Sequence, residues 1–245
     1  MLFEEVVFGA SVALAATCLG ASAVLAFKKI DCKAQALAIS FCAGMMAFSA
    51  FEMMLQSNSG AGFATTIAGA AFGLATFFAV EKLLPHAHLA IRKRRMENSK
   101  KKMALMAGTV TLHNIPEGFA IAAAFASSSP LGWLVSTSIA LQDIPEGTVV
   151  SVPVACYGAS TGRSFMIGAF SGLVEFSAAI VGYFFLNQIQ PLVPFALAFS
   201  GGAMAYVALF ELLPDAFGNG SWKEPAISVA AGVLAAFSLA AAFGI

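Results

Sequence analysis

Charged residues are scarce in this sequence, and their scarcity excludes most soluble folds. Of 245 residues only 11% are charged, whereas 59% are hydrophobic. The mean hydropathy is +0.85, and a soluble domain carries charge on about a quarter of its residues. The formal net charge is zero and no basic tail is present, so we expect no nucleic-acid partner. The composition therefore predicts a polytopic membrane protein.

Cysteine motifs and a cleavable leader are also missing. The four cysteines show no CxxC spacing, which disfavours a thiolate zinc site or a disulfide framework. We interpret them as small apolar packing residues. The first apolar run has no basic region before it and is too long for a signal peptide, so it is predicted to be a retained span.

Long uncharged runs recur along the whole chain, and each is long enough to cross a hydrocarbon core of about 30 Å. They predict an all-α polytopic membrane protein with one transmembrane domain over 1–245 and a cytoplasmic loop at 83–102. The predicted eight spans are 3–27, 34–56, 62–82, 103–126, 131–155, 164–186, 191–213 and 225–244.

The basic residues are confined to alternate connections. All 13 lie after the first, third, fifth and seventh spans or at the edges of those connections, and the opposite loops and both termini contain none. Because Lys and Arg are enriched in cytoplasmic loops, the distribution predicts that both termini lie outside. The basic run at 92–102 is expected to contact anionic membrane lipid.

Acidic residues, by contrast, remain inside the spans. A lone charge near the centre of a membrane helix costs about 2.5–3.5 kcal/mol. The interiors of the spans contain no Lys or Arg to compensate, so protons or a metal cation are the two candidate partners. The acidic residues concerned are Glu52, Glu117, Asp143, Glu146, Glu175 and Glu211.

One short phrase occurs twice at membrane depth, as HNIPEG at 113–118 and QDIPEG at 142–147. His113 and Glu117 are four residues apart, about 40° round a helix, and Asn114 shares an arc of about 100° with them. Gln142, Asp143 and Glu146 repeat the pattern. The short connector makes the two helices antiparallel neighbours, so their polar arcs can face each other.

The proline and glycine of each phrase also suit a site. Pro116 and Pro145 cannot bond to the carbonyls of Leu112 and Leu141, which predicts a kink and a free oxygen in each helix. Irregular backbone at this depth is tolerated where it lines a cavity. Gly118 and Gly147 allow close backbone approach.

An imidazole with several carboxylates suits Zn²⁺, Mn²⁺ or Fe²⁺. It is a poor set for Mg²⁺, which prefers oxygen ligands and retained water. A transported ion needs ligands that release it, and oxygen-rich coordination with one histidine fits transit.

The paired IPEG motifs resemble the Zrt/Irt-like protein (ZIP) family of divalent metal transporters. EKLLPHAH at 81–88, SGLVEFSAAIVGY at 171–183 and GGAMAYVALFELLPDA at 201–216 resemble its third, sixth and seventh spans. The resemblance covers nearly the whole chain. It implies metal uptake through a two-metal centre between the fourth and fifth spans, by alternating access.

The resemblance also implies a ligand set. Glu117 and Glu146 match ligands of both metals, and Glu175 matches the glutamate that joins them. Gln142 stands where many members have histidine, as in bacterial members with Gln-Asp here. Residues matching the first position are His113, Glu117, Gln142 and Glu146; those matching the second are Asn114, Glu117, Asp143 and Glu146. Glu211 matches an acidic position on the ion's pathway.

Other polar residues are candidates for the pathway only. Segment 43–54 aligns loosely with 202–213, with Glu52 over Glu211, which suggests an inverted repeat of spans 1–3 and 6–8 around the central pair 4–5. Glu52 could then be a pathway ligand or a protonated carboxyl. His86 and His88 could hold an exiting ion, although solvated interfacial histidines are the favoured interpretation. Asp215 could line the exit, although an ordinary interface charge is the favoured interpretation.

The favoured function is uptake of a divalent transition metal across the cell (inner or plasma) membrane. Zinc is favoured over Cd, Fe or Mn, and the ion is a substrate rather than a cofactor. The protein is a possible homodimer. A membrane protein that binds metal as a sensor or structural element is the alternative. A di-metal carboxylate enzyme is disfavoured because such enzymes use Glu-x-x-His or multi-histidine motifs, whereas only His113 of the three histidines lies deep in a span. An intramembrane metalloprotease would need HExxH, which is absent.

Overall fold

The computed structural model describes residues 3–27, 32–83, 99–156, 158–218 and 222–245, and nearly all of them are helical. The helices are α1 (Phe3–Ala21), α2 (Ala23–Ala26), α3 (Cys32–Leu83), α4 (Ser99–Ser127), α5 (Ser129–Cys156), α6 (Thr161–Gln188), α7 (Val193–Tyr206), α8 (Leu213–Phe217) and α9 (Lys223–Phe243). A 3₁₀ turn at Gln190–Leu192 precedes α7, and a π-helical turn at Val207–Leu212 joins α7 to α8.

The surface and the helix lengths are those of a polytopic membrane protein. Many large apolar side chains are exposed, including Phe8, Phe63 and Leu234. Helices α4 and α5 are long but more polar, because they carry the repeated phrase. Five segments of the described chain are long and apolar enough to cross a membrane: Phe3–Ala26, Lys33–Lys82, Thr161–Gln188, Gln190–Phe217 and Lys223–Phe243.

Helix α3 is two arms rather than one rod. Gly62 has φ 80° and ψ 171°, a conformation that a residue with a β-carbon rarely adopts. The hydroxyl oxygens of Ser57 and Thr66 lie 3.1 Å apart, although nine residues of straight helix would rise about 13.5 Å. The chain therefore reverses at Gly62, where the predicted third span begins, and the arms 32–61 and 63–83 lie side by side.

The helices pack into two groups. The site bundle, as we call it, consists of α1, α4, α5 and α6, which pack most extensively on one another. Glycines let its backbones touch: a β-carbon on Gly147 would overlap the carbonyl oxygen of Thr17, and one on Gly118 would overlap that of Glu175. The hydroxyl of Thr148 also donates to the carbonyl oxygen of Gly20, 2.9 Å away.

The second group, the support bundle, consists of α3, α7 and α9. Its helices also pack closely at glycines. A β-carbon on Gly202 would overlap the carbonyl oxygen of Ala70, and a β-carbon on Gly44 would overlap the carbonyl oxygen of Val229. The bundles meet where α4 and α5 face α7 and the first arm of α3. The repeated phrases lie at this boundary.

The prolines of the two repeated phrases do not interrupt their helices. Helices α4 and α5 continue through Pro116 and Pro145 without leaving the helical conformation. His86, His88 and most of the predicted loop 83–102 lie outside the described residues.

Candidate metal centre

Three carboxylates from the two repeated phrases converge. Glu117 on α4 and Asp143 and Glu146 on α5 each present an oxygen within 4.8 Å of the others. Glu117 and Asp143 are buried, with 1% and 0% of their surface exposed. Two unit charges at such a distance repel by roughly 3–4 kcal/mol at an effective dielectric constant of about 20. The cluster therefore requires protons or a cation.

The polar atoms around this cluster lack the partners that buried polar atoms normally have. Both carboxylate oxygens of Glu117 and both of Asp143 lack a hydrogen bond of good geometry within the described chain. The same holds for both side-chain polar atoms of Asn114. Burying such groups without a partner is costly, and the cost is removed when they ligate a metal ion.

Glu175 brings a fourth carboxylate from α6. It is 1% exposed, its backbone packs against Gly118, and its side chain lies beside Asn114 and Asp143. Both of its carboxylate oxygens lack a hydrogen bond of good geometry within the described residues. Close packing at the glycine of the first phrase therefore brings α6 to the centre.

Gln142 is oriented by its own helix. Its Nε2 donates to the carbonyl oxygen of Ser138, 3.1 Å away, and its Oε1 is buried without a partner in the described chain. Because the amide nitrogen is engaged, the oxygen is the atom left for a ligand. Gln142 therefore presents an oxygen at a position where a histidine would present a nitrogen.

His113 contacts the support bundle instead of the three carboxylates. Its Nε2 lies 2.7 Å from Oε2 of Glu211, and each side chain is 11% exposed. Glu211 belongs to the π-helical turn that follows α7. The pair crosses the boundary between the bundles, and His113 lines the same cavity as Glu146 of the cluster.

A cavity of about 50 Å³ adjoins the cluster, large enough for a few water molecules. Asp215 lies on its wall, as the exit-lining interpretation expects. The cavity thus lies between Glu146 of the cluster and two acidic residues, Glu211 and Asp215, on the turns that follow α7. Its polar lining residues are Cys42, His113, Glu146, Glu211 and Asp215.

Glu52 lies apart from this arrangement. Its Oε1 accepts a bond from Nε2 of Gln56 at 3.5 Å, and neither the three-carboxylate group nor the wall of the 50 Å³ cavity includes it. The described structure brings together Asn114, Glu117, Gln142, Asp143, Glu146 and Glu175, pairs His113 with Glu211, and leaves Glu52 outside.

Two residues at the site escaped the sequence interpretation. Cys42, interpreted as a packing residue, directs its Sγ to the backbone oxygen of Gln142, 3.5 Å away, and lines the cavity. Thr17 of α1 lies beside Asp143 and donates to the carbonyl oxygen of Ala13 at 3.0 Å. The position of Thr17 in an apolar span was a signal that could have been used. The sequence around Cys42 gave no such signal.

Comparison with known proteins agrees with this geometry. A family model described as ZIP zinc transporter matches residues 101–241, more than half of the chain and both repeated phrases. The chain belongs to the ZIP family. The earlier resemblance is thereby confirmed.

Bacterial ZIP proteins match the chain over most of its length. The chain is 33% identical to zinc transporter GufA of Myxococcus xanthus, with 94% of this chain and 95% of the relative covered. It is 30% identical to zinc transporter ZIPB of Bordetella bronchiseptica, over 97% of this chain and 81% of the relative. Zinc transporter ZupT of Chlorobium chlorochromatii is also 30% identical, over 77% and 79%.

Proposed function

We propose that this ZIP protein takes up divalent transition-metal ions, zinc foremost, from outside the cell into the cytoplasm. The observation that carries the proposal is the cluster of Glu117, Asp143 and Glu146 on two facing helices. The carboxylates of Glu117 and Asp143 are buried there without a hydrogen bond of good geometry in the described chain. Relatives that match nearly the whole chain are named zinc transporters. Membership of a transporter family also argues against an enzyme.

The ligand assignment follows the two polar arcs. One ion is proposed to take His113, Glu117, Gln142 and Glu146, and a second Asn114, Glu117, Asp143, Glu146 and Glu175. Unpartnered oxygens on Gln142 and Glu175 support both sets. His113 would leave Glu211 when it turns to the first ion. Imidazole with carboxylates suits Zn²⁺ and also admits Cd²⁺, Fe²⁺ or Mn²⁺.

We further propose eight spans with both termini outside and the basic loops in the cytoplasm. Contacts at the two ends support this arrangement. The hydroxyl of Ser129, between the fourth and fifth spans, donates to Glu5 near the amino terminus at 2.9 Å. At the opposite end Lys33 pairs with Glu224, also at 2.9 Å. The chain reversal at Gly62 accounts for the second and third spans.

Transport is proposed to occur when the site bundle moves against the support bundle. All residues of the two ligand sets lie on helices of the site bundle, so an ion could move with its ligands. The cavity that joins Glu146 to Glu211 and Asp215 is the proposed way to the cytoplasm. Glu52 is not needed for this pathway, and the inverted repeat of spans 1–3 and 6–8 remains an inference from the sequence.

The proposed location is the cell (inner or plasma) membrane, with lipid around the exposed apolar side chains. A homodimer is proposed from the family resemblance alone. No role is assigned to His86 and His88, because they lie outside the described residues.

Uptake of Zn²⁺ into sealed vesicles that contain the purified protein tests the proposal. Glu117→Gln and Glu146→Gln keep side-chain volume and remove a ligand charge, and we expect initial rates to fall by about 10- to 100-fold. Glu4→Gln, an exposed carboxylate in the first turn of α1, is the control and should retain wild-type uptake.

The same vesicles distinguish a transporter from a metal sensor. Saturable Zn²⁺ binding without flux in the wild-type protein would favour the sensor or structural alternative. Wild-type flux in both ligand variants would refute the site assignment while leaving transport intact.

A further inference from the structure

The helical turn that carries Glu211 is wider than an α-helix. Over Val207–Leu212 the chain is π-helical, and the Leu213 N–H donates to the carbonyl oxygen of Ala208, five residues earlier. Single π-turns inside α-helices are rare and recur at functional sites. This turn contains the glutamate that contacts His113.

Pro214 stands three residues after Glu211 and accounts for part of this geometry. Proline has no N–H, so the carbonyl of Phe210 loses its α-helical donor, and the pyrrolidine ring would clash with that carbonyl in a regular helix. A wide turn just before the proline moves the Phe210 carbonyl away. The residue therefore favours the π-turn locally.

Proline alone is not sufficient, since α4 and α5 remain α-helical through Pro116 and Pro145. The segment around Pro214 is also held on both sides. Before the turn, Gly201 and Gly202 pack on the backbones of Ala50 and Ala70. After it, Ala216 is fully buried. Between these two fixed ends the chain has one residue more than an α-helix would need, and the π-turn accommodates it.

A π-turn acts as a one-residue insertion, so its loss would rotate Glu211 by about 100° relative to the residues before it. We propose that Pro214 is a positioning residue: it maintains the π-turn that directs Glu211 at His113. The role of that contact in metal release rests on the proposed function, whereas the geometry of the contact does not. The two parts are tested separately.

Cross-linking tests the geometry without metal. In a protein whose native cysteines are replaced, His113→Cys and Glu211→Cys are joined by a short bis-methanethiosulfonate reagent and detected by mass spectrometry. The pair should cross-link when Pro214 is present, and Pro214→Ala should lose the product. Deletion of Leu209 in the Pro214→Ala background removes the extra residue and should restore it. Leu209 is 50% exposed, so its deletion spares the buried packing.

Zn²⁺ uptake tests the functional consequence in the otherwise wild-type protein. Pro214→Ala should lower the maximal rate about tenfold, as for loss of a residue that orients a ligand, and should lower KM as well. The Leu209 deletion should recover both. Pro194→Ala is the matched control: it lies in the first turn of α7, where a missing N–H costs little, and should change neither quantity.

Retained cross-linking in Pro214→Ala, or no recovery with the deletion, would overturn the proposal. If Pro214→Ala alone does not accumulate, the double variant is compared with deletion of Leu209 alone. The proposal requires product in the double variant and none in the single deletion, and the reverse pattern refutes it. Absent uptake by the wild-type protein would refute the proposed function but not the cross-linking result.

Discussion

His113 and Glu211 join the two bundles at the metal centre. The imidazole Nε2 of a site-bundle helix lies 2.7 Å from the carboxylate Oε2 of a support-bundle turn. His113 is also the one nitrogen ligand in the proposed sets. If the ion binds Nε2, that nitrogen cannot also contact Glu211, so metal binding and contact between the bundles would compete for it.

This competition predicts the effect of Glu211→Gln. With a weaker partner for His113, Zn²⁺ should bind more tightly at equilibrium, and release into the cytoplasm should slow. Both KM and the maximal uptake rate should fall, which initial rates over a range of Zn²⁺ concentrations would measure. Glu224→Gln, at an exposed carboxylate on α9, should behave as wild type. A higher KM for Glu211→Gln would contradict the competition.

The glycines of the two phrases are predicted to be irreplaceable. A β-carbon on Gly118 or Gly147 would overlap a backbone carbonyl oxygen of a neighbouring helix, and backbone cannot move aside as a side chain can. Overpacking of this kind costs about 1–3 kcal/mol. We expect Gly118→Ala and Gly147→Ala to lower the thermal unfolding temperature in detergent.

Gly162 provides the comparison for that experiment. It lies near the start of α6 with nothing within 4 Å of an added β-carbon, and alanine is the better helix former by about 1 kcal/mol. Gly162→Ala should unfold at the same or a higher temperature. Equal destabilisation by all three changes would show that loss of glycine itself, rather than helix contact, is responsible.

Cys42 predicts sensitivity to thiol reagents. Its side chain is 5% exposed and lines the cavity with His113 and Glu146, so an added group would fill the space beside a ligand. Small methanethiosulfonates should slow Zn²⁺ uptake, and bound Zn²⁺ should protect. Cys42→Ala should be resistant, whereas Cys156→Ala, which removes an exposed cysteine, should remain sensitive because Cys42 is still present. Inhibition that persists in Cys42→Ala would assign the effect elsewhere.

Gln142 predicts a change in affinity when it is replaced by histidine. The amide now offers only Oε1, because Nε2 is bonded to Ser138, and imidazole nitrogen suits Zn²⁺ better than an amide oxygen. We expect Gln142→His to bind Zn²⁺ about tenfold more tightly and to transport it more slowly, since tight ligands release an ion poorly. Calorimetry and vesicle uptake would measure the two effects.

Gln188→His serves as the matched change at the end of α6, where the residue is exposed, and should alter neither affinity nor rate. Unchanged Zn²⁺ affinity in Gln142→His would remove Gln142 from the proposed ligand set.

The sequence predicted the class of fold and the convergence of the three carboxylates. Both predictions depend only on composition and on spacing within single helices. Composition predicts a helical membrane protein, because side chains that face lipid must be apolar and the backbone there must be hydrogen-bonded within a helix. The spacing of His113 to Glu117 and of Gln142 to Glu146 predicts two arcs, because helix geometry fixes azimuth. Convergence of Glu117, Asp143 and Glu146 needs only that these two helices be neighbours.

The rest depends on contacts between distant segments. Nothing in the sequence around Cys42 indicates that it would face Gln142, 100 residues away. The π-turn depends on Pro214 together with glycine contacts that only the packed bundle provides. The alignment of Glu52 with Glu211 depended on the apolar residues around each glutamate. Those residues do not determine the direction in which a carboxylate points.

The division of the molecule into two bundles separates the proposed ligands from the residues that line the proposed way out. Every proposed ligand lies on the site bundle, whereas Cys42, Glu211 and Asp215, which line the neighbouring cavity, lie on the support bundle or on the turns that follow α7. Substitutions in the first group should change which ions the centre accepts, and substitutions in the second should change how fast a bound ion departs; Glu211 affects affinity as well, through its competition for His113. Selectivity and turnover therefore depend largely on different segments of this chain.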